Sequence, residues 1–293
     1  VLEGHGEAEL PEAFSDQIEK ENMELTTFSL LTEDSVPEEA DCVLIYAPAS
    51  DISIEEKDLL AKYVSGGGKL MVLAGPVENG TLENLYSLLE DYGVEAAEGI
   101  VVETDRGHYA FQAPYILLPN LQSSEITDPL IQEHYYSIIP IAQGLTVKGA
   151  DSAEVTELLT TSETAFSKTD GYGLTTYEKE EGDTDGPFAV AVSVACGNDG
   201  QMIWFTSSHF LDDMYNAYSS GANLDLGMNA LSSLIGESEA VAIRSKSLNY
   251  NYLTISDSTA SLLKTVMIGV FPLLYLGIGI CVVVRRRRKD EPV

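Results

Sequence analysis

The stretch CVLIYAPASDISIEEKDLLAKYVSGGGKLMVLAGP, residues 42–76, decides the fold. Its first six residues form a nearly continuous apolar run, which is typical of a parallel strand covered on both faces. Ser53 and Glu56 have the spacing of a capping box, so a helix is predicted to begin there and to end at the glycines 66–68. Residues 69–74 repeat the apolar strand pattern. Strand, helix and strand in this order predict a right-handed crossover onto a parallel sheet.

The same alternation continues on both sides of this stretch. Phe14 and Ile18 have helical spacing, and residues 24–31 read as the next strand. After residue 76, Thr81 is predicted to cap a further helix. We therefore predict an α/β domain over residues 1–236, built on an open, mostly parallel sheet of the Rossmann or flavodoxin type.

The middle of this domain is less regular. Residues 104–187 read as an irregular acidic insertion, and within it residues 149–187 are predicted to form mobile surface loops because they are polar and contain glycine. Regular structure returns in a hairpin of two buried strands, 188–195 and 202–205. Asn223 is predicted to cap the last helix of the domain.

The C-terminal region carries a second strong pattern. Residues 265–284, TVMIGVFPLLYLGIGICVVV, contain no charge, and a helix of that length matches the roughly 30 Å hydrocarbon core of a bilayer. The cations at 285–289 predict that the tail, residues 285–293, is cytoplasmic and that the body lies outside the cell. Residues 237–264 are predicted to form a stalk, with a strand at 241–243, that leads into a span in contact with membrane lipid. The chain starts at Val1, so we expect it to be the C-terminal part of a longer polypeptide with a targeting signal upstream.

Composition narrows the classes of function. The chain has 16 Lys and Arg against 47 Asp and Glu, a net charge of −31, and a hydrophobic fraction of 44% that can form a core. Nucleic acid is excluded as a partner, because phosphate binding requires clustered Lys and Arg. Cys42 and Cys196 are either buried thiols or a disulfide pair, and Cys281 completes an odd number.

Candidate binding residues lie where the predicted parallel strands end, since ligands of open α/β sheets bind at the carboxyl ends of the strands. No cofactor, metal or catalytic residue is predicted. The glycines at 66–68 precede a strand, whereas a phosphate loop requires glycine between a strand and a helix. No serine or cysteine occupies a nucleophile elbow. The candidate residues for ligand or partner binding are His5, Glu7, Ser50, Asp51, Ser208 and His209.

Several motifs together resemble the GldG-like auxiliary subunits of ABC-type transport systems, which include gliding-motility proteins. They are GHGE at 4–7, the stretch 36–76, IWFTSSHFLDD at 203–213, NLDLGMNALSSLIG at 223–236, and the final apolar run with its arginines. The resemblance implies a domain similar to class I glutamine amidotransferases without a catalytic cysteine, an upstream transmembrane helix, a GldF-like permease and a separate ATPase. This chain departs from the pattern in having two serines before His209.

These observations favour a non-catalytic, membrane-anchored accessory subunit that binds a partner or cargo at the carboxyl edge of its sheet. One alternative is a membrane-tethered hydrolase or carbohydrate-binding protein that uses His5, Glu7, Asp51 and His209. Another is a surface receptor or structural domain without a transport partner. Convergence of the four side chains within about 5 Å, the reach of an acid/base pair plus a bound group, would favour the hydrolase.

Overall fold

The computed structural model of the protein describes residues 1–149, 153–236, 261–262 and 264–289. The chain divides into two compact units, Val1–Ser247 and Leu248–Val293. The first unit holds the sheets and most of the helices, and the second holds the C-terminal helix. The predicted stalk, with its strand at 241–243, lies almost wholly outside the described residues.

The helices of the first unit largely follow the apolar periodicity of the sequence. They are α1 (Glu12–Lys20), α2 (Ile54–Ser65), α3 (Glu83–Glu90), α4 (Asp128–Gln132), α5 (Asp213–Tyr218) and α6 (Ala222–Ile235). Phe14 and Ile18 of α1 are buried, as their spacing predicted. The predicted capping box of α2 is present, because the Glu56 amide donates to Ser53 Oγ and the Ser53 amide donates to Glu56 Oε2.

The strands of the first unit form three sheets. They are β1 (Val43–Tyr46), β2 (Lys69–Leu73), β3 (Val94–Ala96), β4 (Ile100–Val102), β5 (Ile116–Leu117), β6 (Asn120–Leu121), β7 (Ile139–Pro140), β8 (Leu145–Val147), β9 (Ala153–Thr160), β10 (Phe166–Lys168), β11 (Thr184–Asp185), β12 (Ala189–Cys196) and β13 (Gly200–Phe205). The main sheet has eight strands in the order β1-β2-β13-β12-β8-β3, with β9 paired to β12 and β6 to β9. The smaller sheets are β11-β10-β4 and β5-β7.

The prediction of an open, mostly parallel Rossmann- or flavodoxin-like sheet is wrong. Only β1 with β2 and β2 with β13 pair in parallel; β12 pairs antiparallel with β13, β9 and β8, and β8 pairs antiparallel with β3. The direction changes because β12 and β13 are joined by a tight turn, and a tight turn can connect only antiparallel strands. The result is a mixed sheet with one parallel and one antiparallel half.

The acidic insertion contributes a long strand to the antiparallel half, so the prediction of mobile surface loops at 149–187 is wrong where β9, β10 and β11 form. Within it, β9 runs along β12 over nearly its whole length, and β10 pairs with both β4 and β11. The polar residues of β9 that suggested a loop lie on a partly exposed strand, whose burial alternates only weakly. Two other local predictions also fail: residues 24–31 contribute only the bridge between Leu2 and Phe28, and Thr81 does not cap α3.

Asn223 has a different role from the predicted cap. Gly221 occupies the N-cap position of α6, and Asn223 lies within the helix, fully buried. Its Oδ1 accepts hydrogen bonds from the Ser137 hydroxyl at 2.8 Å and the Ile138 amide at 2.9 Å. Asn223 therefore fastens the segment before β7 to α6 inside the domain.

The second unit contains a π-helical turn, Val266–Val270, followed by α7 (Phe271–Lys289). Among the described residues, no helix is both long enough and apolar enough to cross a membrane. The predicted span fails because its apolar run is divided between the π-helical turn and α7, and the last part of α7 consists of the cations 285–289. The prediction of a single C-terminal span at 265–284 is therefore wrong, and the predicted lipid contact, extracytoplasmic body and cytoplasmic tail lose the span on which they depended.

The core lies on both faces of the main sheet, because successive side chains of a strand point to opposite faces. On one face, Leu44 and Tyr46 of β1 pack in a cluster with α1 and α6. On the other, Val43 and Ile45 pack with side chains of α2 and α3. The two layers of helices thereby fix the edge at which β1, β2 and β13 all end.

Candidate functional site

The GHGE segment forms a tight loop beside the end of β1. Gly4 and Gly6 have φ values of 134° and 73°, a backbone conformation that L side chains rarely adopt. Both amides that lead into the loop are bound by one carboxylate, since Glu7 Oε2 accepts the amide of Gly4 at 3.0 Å and that of His5 at 2.8 Å. The two glycines therefore allow the chain to curl around the Glu7 side chain.

His5 lies between two carboxylates. Its Nδ1 is 3.1 Å from Glu7 Oε1, and its Nε2 is 3.2 Å from Glu56 Oε2 and 3.1 Å from Glu56 Oε1. The side chains of His5, Glu7 and Glu56 are 6%, 7% and 4% exposed. Each nitrogen of the imidazole therefore faces a carboxylate of a different segment. The arrangement locks the loop onto α2.

Glu56 belongs to this cluster although sequence analysis assigned it only a capping role. Burial favours the neutral acid, but hydrogen bonds from the Ser53 amide, His5 and the Ser53 hydroxyl outweigh it, and the pKa of Glu56 is lowered. The capping box was the available signal for Glu56 in this cluster. A carboxylate that binds the N-cap amide lies at the start of α2, next to the edge where the neighbouring strands end.

Ser50 and Asp51 have structural partners of different kinds. Ser50 donates its hydroxyl to the carbonyl of His5 at 3.1 Å, so it joins the same cluster. Asp51 instead binds α3: its Oδ2 accepts the Asn84 amide at 2.7 Å and its Oδ1 accepts the Leu85 amide at 3.0 Å. Asp51 thus caps α3 from a distant segment, in place of the predicted Thr81.

Ser208 and His209 follow β13. The amide of Gly75, just beyond β2, donates to Ser208 Oγ at 2.9 Å. His209 Nδ1 lies 3.1 Å from Asp212 Oδ2, and both side chains are nearly half exposed, at 45% and 41%. The hydrogen bond that His209 donates to the Asp212 carboxylate raises the pKa of His209 against the opposing effect of burial. Sequence analysis missed Asp212, although its spacing of three residues from His209 is a signal for such a pair.

The structure thus brings three of the six candidates into one cluster, whereas the side chains of the other three have their partners elsewhere. His5, Glu7 and Ser50 share one cluster, whereas the partners of Asp51 lie in α3 and that of His209 in the segment before α5. Across the described part of the chain, no serine hydroxyl or cysteine thiol is hydrogen-bonded to a histidine ring, and no group of three acidic, histidine or cysteine side chains could hold a metal ion.

The three cysteines are free thiols. Burial raises the pKa of Cys42 to about 12, and burial likewise raises the pKa of Cys196. A thiol held in its neutral form is a poor nucleophile. Cys42 and Cys196 therefore behave as packing residues, which is one of the two alternatives left by the sequence.

The fold and contacts describe a mixed α/β domain whose polar edge is organised by hydrogen bonds between loops and helix ends. This chain belongs to the auxiliary family described as an ABC-type uncharacterized transport system, which matches residues 1–230. The match confirms the resemblance to GldG-like auxiliary subunits. No curated protein gives a significant match.

Comparison with solved structures supports the fold alone. The mmIFT52 N-terminal domain aligns with a TM-score of 0.57 at 17% identity, over 80% of this chain and 96% of that one. Cytoplasmic Protein STM3548 from Salmonella typhimurium aligns at 0.40 and 12% identity, over 76% and 85% of the two chains. Exo-beta-1,4-mannosidase Op5Man5 from Opitutaceae bacterium strain TAV5 aligns at 0.37 and 12%, over 75% and 30%.

Proposed function

We propose that this chain is a non-catalytic accessory subunit of an ABC-type transport system that acts by binding a partner or cargo. Membership of the auxiliary family over residues 1–230 is the observation that carries the proposal. In this assignment a GldF-like permease and a separate ATPase chain perform transport and ATP hydrolysis. The proposed binding surface is the carboxyl edge of β1, β2 and β13, with the candidate residues His5, Glu7, Ser50, Asp51, Ser208 and His209.

The contacts of the candidate residues support binding more than bond breaking. A serine nucleophile requires an adjacent base that can take its proton. The Ser50 hydroxyl instead donates to a carbonyl, and the Ser208 oxygen accepts a backbone amide. Both nitrogens of His5 face carboxylates within a buried cluster. These groups hold loops in place, as a preformed binding surface requires.

The residues at this edge of the sheet differ in their exposure to solvent. The buried ones support the surface, and the exposed ones are available for contact with a partner. His5 is 6% exposed, so it acts from beneath the surface, whereas the His209 and Asp212 side chains are nearly half exposed. Burial raises the pKa of Tyr46, at the end of β1, and the nearby charge of Asp212 adds to that rise. His209 and Asp212 are therefore the groups that we expect a partner to contact first.

Affinity purification tests this function. The full chain, tagged and produced in its own host together with the other subunits, is isolated, and co-purifying proteins are quantified by mass spectrometry. We expect a permease and an ATPase to be enriched. The double variant His209→Ala/Asp212→Asn should reduce their recovery, while Asp16→Asn, which removes an exposed i,i+4 pair with Lys20 on α1, should not. Recovery of neither subunit with the unaltered chain would contradict the proposal.

A further inference from the structure

Three separate segments bring aromatic rings together on one surface. We name it the aromatic strip and define it as Phe111, Tyr115, Tyr177, Tyr215 and Tyr218. The rings of Phe111 and Tyr218 lie 4.6 Å apart, and those of Tyr115 and Tyr177 lie 5.7 Å apart. Tyr215 and Tyr218 both lie on α5, and Phe111 and Tyr115 belong to the same loop, so the two ring pairs are neighbours. The strip is therefore continuous across the loop before β5, the segment after β10, and α5.

The strip is exposed although its residues are large and apolar. Phe111, Tyr177 and Tyr218 are 52%, 43% and 41% exposed, and Met214 of α5, beside them in sequence, is 54% exposed. None of these residues belongs to either core cluster. Contiguous exposed apolar surface marks interaction sites, and tyrosine is enriched in the parts of interfaces that contribute most to affinity.

The backbone that presents Phe111 is strained. Phe111 and Gln112 are consecutive non-glycine residues with φ values of 55° and 57°, in the left-handed region. Such conformations are energetically unfavourable for residues other than glycine and cluster at binding sites. The loop thus holds an exposed phenylalanine against Tyr218 at an energetic cost that core packing does not explain.

The charge around the strip is negative. Asp212 adjoins Tyr215, Asp213 opens α5, and Glu178 follows Tyr177. The chain as a whole carries a net charge of −31, which steers cations toward it. The loop before β5 contains one arginine–aromatic contact of this kind, outside the strip itself. The Arg106 guanidinium carbon lies 5.5 Å from the centre of the Tyr109 ring. Aromatic faces with nearby carboxylates form a surface suited to arginine.

We propose that the aromatic strip binds arginine side chains of a basic segment in a partner protein. The ring faces of Tyr177, Tyr218 and Phe111 stack on guanidinium planes, and Asp212 with its acidic neighbours supplies the opposing charge. This inference deepens the proposed function, because it gives the chemistry of the partner. It rests on the proposed function only for the identity of the complex to which that partner belongs.

The proposal is tested by measuring the affinity of the full chain for nona-arginine and nona-lysine peptides at fixed ionic strength. Tyr177→Ala/Tyr218→Ala removes two rings without changing charge, so binding driven by net charge alone is unaffected. We expect this variant to lose roughly tenfold in nona-arginine affinity and much less in nona-lysine affinity. Tyr177→Phe/Tyr218→Phe keeps the rings and should bind as the unaltered chain does. Ile54→Ala, at an apolar residue 64% exposed on α2, is the matched control.

Unchanged melting temperatures establish that the exposed substitutions leave the fold intact. Equal nona-arginine affinity in the ring-deleted and unaltered chains would overturn the proposal, because general acidity would then account for binding. Binding of neutral maltohexaose that is lost in the phenylalanine variant would also overturn it and assign the strip to a glycan. Failure to recover a permease and an ATPase contradicts the proposed function but leaves this peptide result standing, so the two failures are distinguishable.

Discussion

The parallel and antiparallel halves of the main sheet are assembled by different kinds of contact. In the parallel half, β1, α2 and β2 follow one another directly, and each lies beside the next in space. In the antiparallel half, β12 pairs with β9 of the insertion, and in the smaller sheet β10 pairs with β4, more than sixty residues earlier in the chain. The β1–β2 unit and the β12–β13 hairpin depend on local sequence, whereas β13 joins β2, and β9 joins β12, only when distant segments meet.

The parallel half and the insertion each contain a buried basic side chain between two acids. His5 lies between Glu7 and Glu56 at the edge of the parallel half. In the insertion, Lys168 of β10 is fully buried, lies 3.1 Å from Asp183 and also pairs with Glu180. Hydrogen bonding to Glu180 raises the pKa of Lys168. In both places one basic side chain fixes a loop to regular structure, so the comparison can be tested one region at a time.

The largest effect is expected from Trp204→Ala, because β13 borders both halves. Trp204 is fully buried, and its ring centre lies 5.1 Å from that of Tyr86. Truncation of a buried tryptophan costs about 3–5 kcal/mol. Denaturant unfolding should show this loss, and hydrogen exchange should accelerate in β1 and β9 alike. Ile54→Ala should change neither, and acceleration in one half alone would mean that the halves unfold independently.

His5→Ala should destabilise the parallel half selectively. Its removal leaves the buried carboxyl groups of Glu7 and Glu56 without their shared hydrogen-bond partner, which costs about 2–3 kcal/mol. Amide exchange should increase in β1 and remain unchanged in β9. His134→Asn is the matched control, since His134 is exposed and asparagine tolerates its φ of 58°. Equal destabilisation by both variants would refute a structural role for the His5 cluster.

Gly99→Ala should weaken the insertion by a smaller amount. A Cβ at this position would lie 1.8 Å from the Lys168 carbonyl oxygen, and the φ of 91° disfavours any L side chain. We expect a loss of more than about 1 kcal/mol, with faster exchange in β4 and β10 but not in β1. Gly182→Ala separates the two causes, because Gly182 has a φ of 104° and open space around it. If both variants lose the same stability, the contact with β10 contributes nothing.

The smallest effect concerns the exposed pair of His209 and Asp212. Because the hydrogen bond that His209 donates to Asp212 raises the folded-state pKa of His209, the stabilisation is fully present below the unfolded value near 6.5 and is lost as pH rises through the folded value. Asp212→Asn should lower the His209 pKa in an NMR titration and reduce stability only on the acidic side. The change should be small, since solvent screens a pair this exposed. An unchanged pKa would show that the pair does not form in solution.

Local patterns predicted the elements whose signals lie within one segment. The capping box located α2, the apolar runs located β1 and β2, and the turn at 197–200 located the β12–β13 hairpin. The burial of Phe14 and Ile18 followed from helical spacing. These features need no information about distant residues, because their hydrogen bonds close within a few residues of the chain.

The failures share one cause. A pattern of twenty uncharged residues predicted a span, but it carried no information on how helical geometry would divide at Val266–Val270. The polar insertion was assigned to loops because β9 lacks clear alternation, yet pairing with β12 makes it a strand. For the candidate residues, the sequence supplied His5 and Glu7, the capping box was the one sign that pointed to Glu56, and nothing indicated that Asp51 caps α3.

The sequence by itself determined the local elements, the strongly acidic charge and the family of this protein. The tertiary structure alone decided the mixed direction of the sheet, the partners of each candidate side chain and the assembly of the aromatic strip. The reason is the range of the interactions involved. Helix caps and apolar periodicity act over a few residues, whereas strand pairing and buried charge pairs join segments that only the folded chain brings into contact.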